Sequence, residues 1–153
     1  MYTFLLIVHG LVAVALLGAV THQSVSMLRV RKARSGSFID RYTGVNQKTF
    51  AIAVLVLYVA SLALGAIIYP KYRLDVRIPF EEMDLRWAVG IFEMKEHFAG
   101  IGFGALIAYA VSWRADSSQD YAPLRFALTL VLTFIVWCDF LVGHVLNNIR
   151  GFA

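Results

Sequence analysis

Four stretches of this chain are apolar for about the length of a membrane crossing, and few architectures other than a bundle in lipid can hold them. The predicted spans are residues 2–27, 49–69, 87–113 and 122–149. A hydrocarbon core ~30 Å thick needs about 20 residues at ~1.5 Å of rise each, and every run reaches that length. Composition agrees. Hydrophobic residues make up 59% and charged residues 16% of the 153, against roughly 45–50% and about 25% in soluble domains. The expected fold is all-α: one integral membrane four-helix bundle covering residues 1–153, with no room for a separate soluble module.

Prolines and aromatics mark the ends. Pro70 is expected to stop the second span, because it lacks a backbone N–H and clashes with the preceding turn. Pro123 falls in the first turn of the fourth span, where a missing donor costs little. Trp87 and Trp113 bracket the third span. The run Pro79-Phe80-Glu81-Glu82 reads as a helix start, with its acids where the macrodipole favours them, and is expected to lead into span three.

Flanking charge orients the bundle. The first connection carries Arg29, Arg31, Lys32, Arg34, Arg41 and Lys48 against Asp40 alone. The second balances Lys71, Arg73, Arg77 and Arg86 with Asp75, Glu81, Glu82 and Asp84. Positive charge stays on the cytoplasmic side, so both termini and the second connection are expected on the periplasmic or exterior face of the plasma (inner) membrane. The first run lacks a basic leader and is followed by its positive charges, which suits a retained helix rather than a cleaved signal. The basic first connection is expected to lie against anionic headgroups.

Ionisable side chains inside such spans cost about 2.5–3.5 kcal/mol each on insertion scales and call for a partner or a task. With this topology, His9, His97 and His144 come to a similar outer depth from three different helices. Glu93 and Glu96 accompany His97, and Asp139 lies about 7.5 Å deeper than His144. Glu93 and His97 are i, i+4 on one helix face, continued by Gly100 and Gly104 as a small-xxx-small pattern. That face is expected to turn inward. Asp139 points elsewhere on its helix and can pair with Lys95 or with an arginine anchored at the cytoplasmic side. His22 is rotated about 140° from His9 around the first helix. It has no second histidine at its depth, which suits hydrogen bonding or packing better than ligation.

Imidazole on facing helices suits haem b, with Gly10, Gly100, Gly102, Gly104 and Gly143 leaving space for the macrocycle. The expected axial pair is His97 and His144, then His9. The rival site is non-haem: His97, His144 and His9 with Glu93 or Glu96 could bind copper, iron or zinc, or serve a proton relay with Asp139 and His22. The run Glu93-x-x-Glu96-His97 occurs once, where a di-iron pair calls for a Glu-x-x-His on each of two helices, which weighs against di-iron. A third reading is a cofactor-free structural or assembly subunit of a larger complex. The leading expectation is a haem b electron-transfer subunit, an oxidoreductase component working between quinone or other membrane subunits and a periplasmic electron carrier.

Other classes are disfavoured. The basic residues flank membrane runs rather than lining a soluble face, so nucleic acid is not an expected partner. Gly100-Ile101-Gly102-Phe103-Gly104 lacks the strand-turn-helix setting of a phosphate loop. Cys138, alone in the chain, has no partner for a disulfide and reads as a small buried residue.

Overall fold

A computed structural model describes residues 1–27, 36–44, 46–114 and 121–151. The described chain is helical, without strands. Helix α1 is Tyr2–Met27, α2 Phe38–Thr43, α3 Gln47–Tyr72, α4 Ile78–Glu82, α5 Arg86–Arg114 and α6 Ala122–Gly151, with a π-helical turn Arg73–Arg77 between α3 and α4. Arg29, Arg31, Lys32 and Arg34 and most of the connection from α5 to α6 lie outside the described residues. Three helical stretches, Tyr2–Met27, Gln47–Glu82 and Ala122–Ile149, are long and apolar enough to cross a membrane. Helix α5 is of like length, 29 residues, but Glu93, Lys95, Glu96 and His97 dilute its first half.

The four long helices close into a ring. Helix α1 packs on α3 and α6, and α5 packs on α6 and, more loosely, on α3. So α1 lies diagonally across from α5. One half of the bundle is filled by Leu16, Val20, Ala51, Val54, Leu106, Tyr109, Leu132 and Val136. Several buried polar groups at the end of that half are tied to one another, while Gln23 Oε1, Tyr109 Oη and Trp113 Nε1 have no hydrogen-bond partner among the described residues. Gln23 Nε2 donates to the Gln47 carbonyl at 3.2 Å, and Gln47 Nε2 donates to the Ser26 carbonyl at 3.2 Å. The Ser24 and Thr133 hydroxyls are 2.6 Å apart. Arg125 Nε donates to the Ser112 carbonyl at 2.7 Å, near the end of α5, and its guanidinium lies 5.2 Å from the Trp113 ring. A cation at a helix C-terminus meets both the orphan carbonyls and the negative end of the dipole.

Pro70 does not end the second long helix. The helix passes through it to Tyr72 and continues by the π turn into α4. A π turn is a usual way to absorb a broken ladder. The turns beyond the proline are held by i, i+4 ion pairs, Lys71–Asp75 and Arg77–Glu81, each at 2.8 Å. Pro79 does open α4, but α4 stops short of α5. The chain turns at Asp84, whose φ of 56° is left-handed, a conformation that aspartate tolerates better than most residues. The Leu85 N–H donates back to the Phe80 carbonyl at 2.8 Å. Phe80 and Val76 then pack with Ala88, Val89 and Leu146 under the turn.

Candidate functional site

The other half of the bundle holds a cavity of about 610 Å³. Its walls come from the first half of α1, the second half of α3, the first half of α5 and the second half of α6. Most of the wall is apolar, and His9, Lys95, Glu96 and Asp139 face it together with Tyr58, Tyr69 and Tyr72. A pocket of this size and character falls in the ~300–1,000 Å³ range of small-molecule sites.

The floor is a latch between α3 and α5. Tyr58, in the middle of α3, is buried, and its hydroxyl donates to the Ala99 carbonyl at 2.9 Å. Its ring end rests on Gly102. A Cβ there would overlap the phenol oxygen and lie 3.3 Å from Ile135 Cγ2. Glycine is therefore what lets α5 accept Tyr58. Above the floor, Lys95 is the central cation. Its charge acts on Asp139 of α6, on Glu96 beside it and on His9 of α1. The Lys95 ammonium also lies 5.3 Å from the Phe92 ring. Tyr69 faces the same space as Glu96. Small residues give these groups room. A methyl on Gly65 would sit 3.7 Å from His9 Cε1, and one on Gly143 would sit 3.7 Å from Lys95 Cε.

Three buried polar atoms on this wall have no hydrogen-bond partner among the described residues: His9 Nδ1, Asp139 Oδ1 and Tyr72 Oη. Buried polar groups are nearly always paired, and leaving one unpaired costs about 1–3 kcal/mol. Two of these atoms can donate and one accepts. The rim carries Arg77, whose Nη1 lies 3.4 Å from Glu93 Oε1. Lys71 lies over the Tyr2 ring at 5.1 Å.

The residues expected to form one outer cluster are divided by this arrangement. His9, Glu96 and Asp139 line the cavity. Glu93, His97 and His144 are exposed on the bundle surface. The inward turn expected for the Glu93–His97–Gly100–Gly104 face does not occur as a whole: Glu93, His97 and Gly104 are exposed on the surface, and only Gly100 borders the cavity. Packing of Ala88, Val89, Gly102, Leu106 and Tyr109 sets the inner face of α5 instead. His97 Nδ1 is 2.6 Å from the Glu93 carbonyl, one turn back. His144 stacks on Phe140, with ring planes 2° apart, and its Nε2 is 3.2 Å from Asn148 Nδ2. Among the described residues, no three His, Cys, Asp or Glu side chains gather in a way that can hold a metal ion. His22 is far along α1 from the cavity, stacked on Phe50 at 4.3 Å and beside Tyr42 at 4.2 Å. Its Nε2 is buried without a hydrogen-bond partner among the described residues.

Lys95 and the three tyrosines were the harder residues to find. Lys95 entered the sequence reading only as a partner for Asp139. Tyr58 carried a usable signal: a hydroxyl in mid-span needs an acceptor on a facing helix. No protein-family model matches the chain, and no curated protein or solved structure matches it.

Proposed function

We propose that α5 is the fourth transmembrane helix, that both termini and the α3–α5 connection face the exterior, and that the cavity is a proton-exchanging binding site for a membrane-soluble quinone or quinol. The observation that carries this reading is the trio of buried, unpartnered polar atoms that three helices bring to the lining of one largely apolar cavity: His9 Nδ1, Asp139 Oδ1 and Tyr72 Oη. A ring bearing two oxygens on an apolar body satisfies such a wall, whereas a purely apolar lipid chain leaves it unpaired. Lys95 holds charge near Asp139, Glu96 and His9, so acid–base groups flank the same space. Basic residues in the first connection support the orientation. The charges of α5 support its place in the bundle, because Lys95 and Glu96 meet their partners in the interior instead of in lipid.

The test is a calorimetric titration of the detergent-purified chain with a short-chain ubiquinol analogue, whose hydroxyls can donate to Asp139 and accept from Tyr72. Saturable binding is expected. Asp139→Asn and Tyr72→Phe should each weaken it, by roughly 10-fold for a lost hydrogen bond of about 1.4 kcal/mol. Absence of saturable binding by the wild-type chain sinks the quinone reading.

One observation favours a second reading, haem b in the same cavity. His9 presents an imidazole with a free ring nitrogen to an apolar wall, and Lys95 is a counter-charge suited to a propionate. Bound there, haem would supply one-electron transfer. His9 would be the ligand from the protein, because His97 and His144 are exposed on the outside of the bundle. A reduced-minus-oxidised spectrum separates the two readings. A Soret band and an α-band lost in His9→Ala but kept in His97→Ala support haem, and their absence from the wild-type chain removes it.

A further inference from the structure

One face of α5 is built like a helix–helix seam but has no helix on it. Gly90, Glu93, His97, Gly100, Gly104, Ile107 and Val111 follow one another at spacings of three and four residues, the repeat of a packed helix pair. Every one of them is exposed. At Gly90, Gly100 and Gly104 no side chain or neighbouring helix comes within 4 Å of an added Cβ among the described residues. Small residues at this period let two backbones approach closely in a bilayer. In the outer half of the seam are a carboxylate and an imidazole, and ionisable groups facing lipid are costly.

We infer that this face of α5 is the interface of a parallel, two-fold homodimer in which Glu93 of each copy pairs with His97 of the other. The inference rests on α5 being a transmembrane helix. A second copy is the occupant to which the chemistry points. Copies inserted with the same topology bring identical seams together at the same depth, and a two-fold interface must be self-complementary. The seam meets that condition, since it carries one acid and one base a single turn apart. His97 Nδ1 is already engaged with the Glu93 carbonyl at 2.6 Å, which leaves Nε2 as the outward ring atom. A protonated His97 then donates through Nδ1 within its own helix and through Nε2 to the Glu93 carboxylate of the second copy. Arg77, 3.4 Å from that carboxylate in its own chain, extends the pair into a charged network at the outer end. Farther in, Gly100 and Gly104 allow contact, and Ile107 and Val111, 71% and 57% exposed, supply apolar area.

Disulfide cross-linking in native membranes tests this, using the full chain with Cys138→Ser. Ile107→Cys and Val111→Cys should each form a dimer under mild oxidation. Val59→Cys, exposed on α3, should not. Adding Gly104→Leu, or Gly90→Leu if that variant accumulates poorly, should lower the cross-linked fraction roughly 10-fold, the equivalent of about 1.4 kcal/mol. Glu93→Ala should lower it in the same direction. The inference is overturned if Ile107→Cys and Val111→Cys stay monomeric, if Val59→Cys cross-links equally, or if the chain pairs only with a different protein. The span beneath it is tested separately. Labelling of Ile107→Cys by a membrane-impermeant maleimide in sealed vesicles of either orientation would show that α5 does not cross the bilayer.

Discussion

Replacing Gly102 by alanine tests the site's construction through a conflict between two opposing effects. Gly→Ala inside a helix ordinarily stabilises by about 0.5–1 kcal/mol, because alanine gives up less backbone freedom. At Gly102 the new methyl would overlap the Tyr58 hydroxyl, with Ile135 Cγ2 only 3.3 Å away. Tyr58 is 4% exposed, and the space beside it is the cavity, which it can enter only by giving up its 2.9 Å bond to Ala99. Overpacking of this kind costs about 1–3 kcal/mol. The lost hydrogen bond adds about 0.5–1.5 kcal/mol, so the net expectation is a loss of roughly 1–3 kcal/mol. Gly18→Ala, on the exposed face of α1, has nothing within 4 Å and should be neutral or stabilising. The assay is equilibrium unfolding in mixed micelles followed by circular dichroism. In a Tyr58→Ala background the Gly102 penalty should disappear, giving a coupling energy of about 1–3 kcal/mol. A Gly102→Ala chain as stable as the wild type, or a penalty that persists without Tyr58, would refute the latch.

Three further outcomes follow from the same geometry. Lys95→Met should destabilise the chain in the unfolding assay, and adding Asp139→Asn should recover part of the loss, with a coupling of roughly 0.5–3 kcal/mol; strict additivity would show that the two groups do not interact. Arg125→Met strips the donor from the buried Ser112 carbonyl and should cost about 1–3 kcal/mol by leaving it unsatisfied, read as a lower unfolding midpoint; an unchanged midpoint contradicts a sealing role for that end. Gly65→Leu should reduce ubiquinol-analogue binding by filling space near His9 while leaving the helical content unchanged, checked by titration and circular dichroism; full binding would mean that the ligand lies elsewhere.

Much of the architecture was legible because lipid demands long apolar runs, and residues 2–27 and 122–149 fall almost where the helices do. Pro70 misled for a physical reason. Proline's local cost is real, but the ion pairs Lys71–Asp75 and Arg77–Glu81 sustain the turns beyond it, and these are weak signals in a sequence. The site was legible in depth and not in rotation. His9, His97 and His144 do occur near the same end of the bundle, and Glu93 with His97 do share a face. Which face of α5 turns inward depends on Gly102 receiving Tyr58 from another helix, a tertiary fit that periodicity does not encode. A rotation of about 100° per residue then decides that Glu96, and not its neighbour His97, reaches the cavity.

The most direct test of the central claim is the titration of the wild-type chain and Asp139→Asn with the short-chain ubiquinol analogue, with proton uptake or release recorded in two buffers of different ionisation enthalpy. A working cavity predicts saturable binding, a buffer-dependent heat that reports proton exchange, and loss of that dependence with weaker binding in Asp139→Asn. Saturable binding that is identical in Asp139→Asn, or no binding by the wild-type chain, would contradict it.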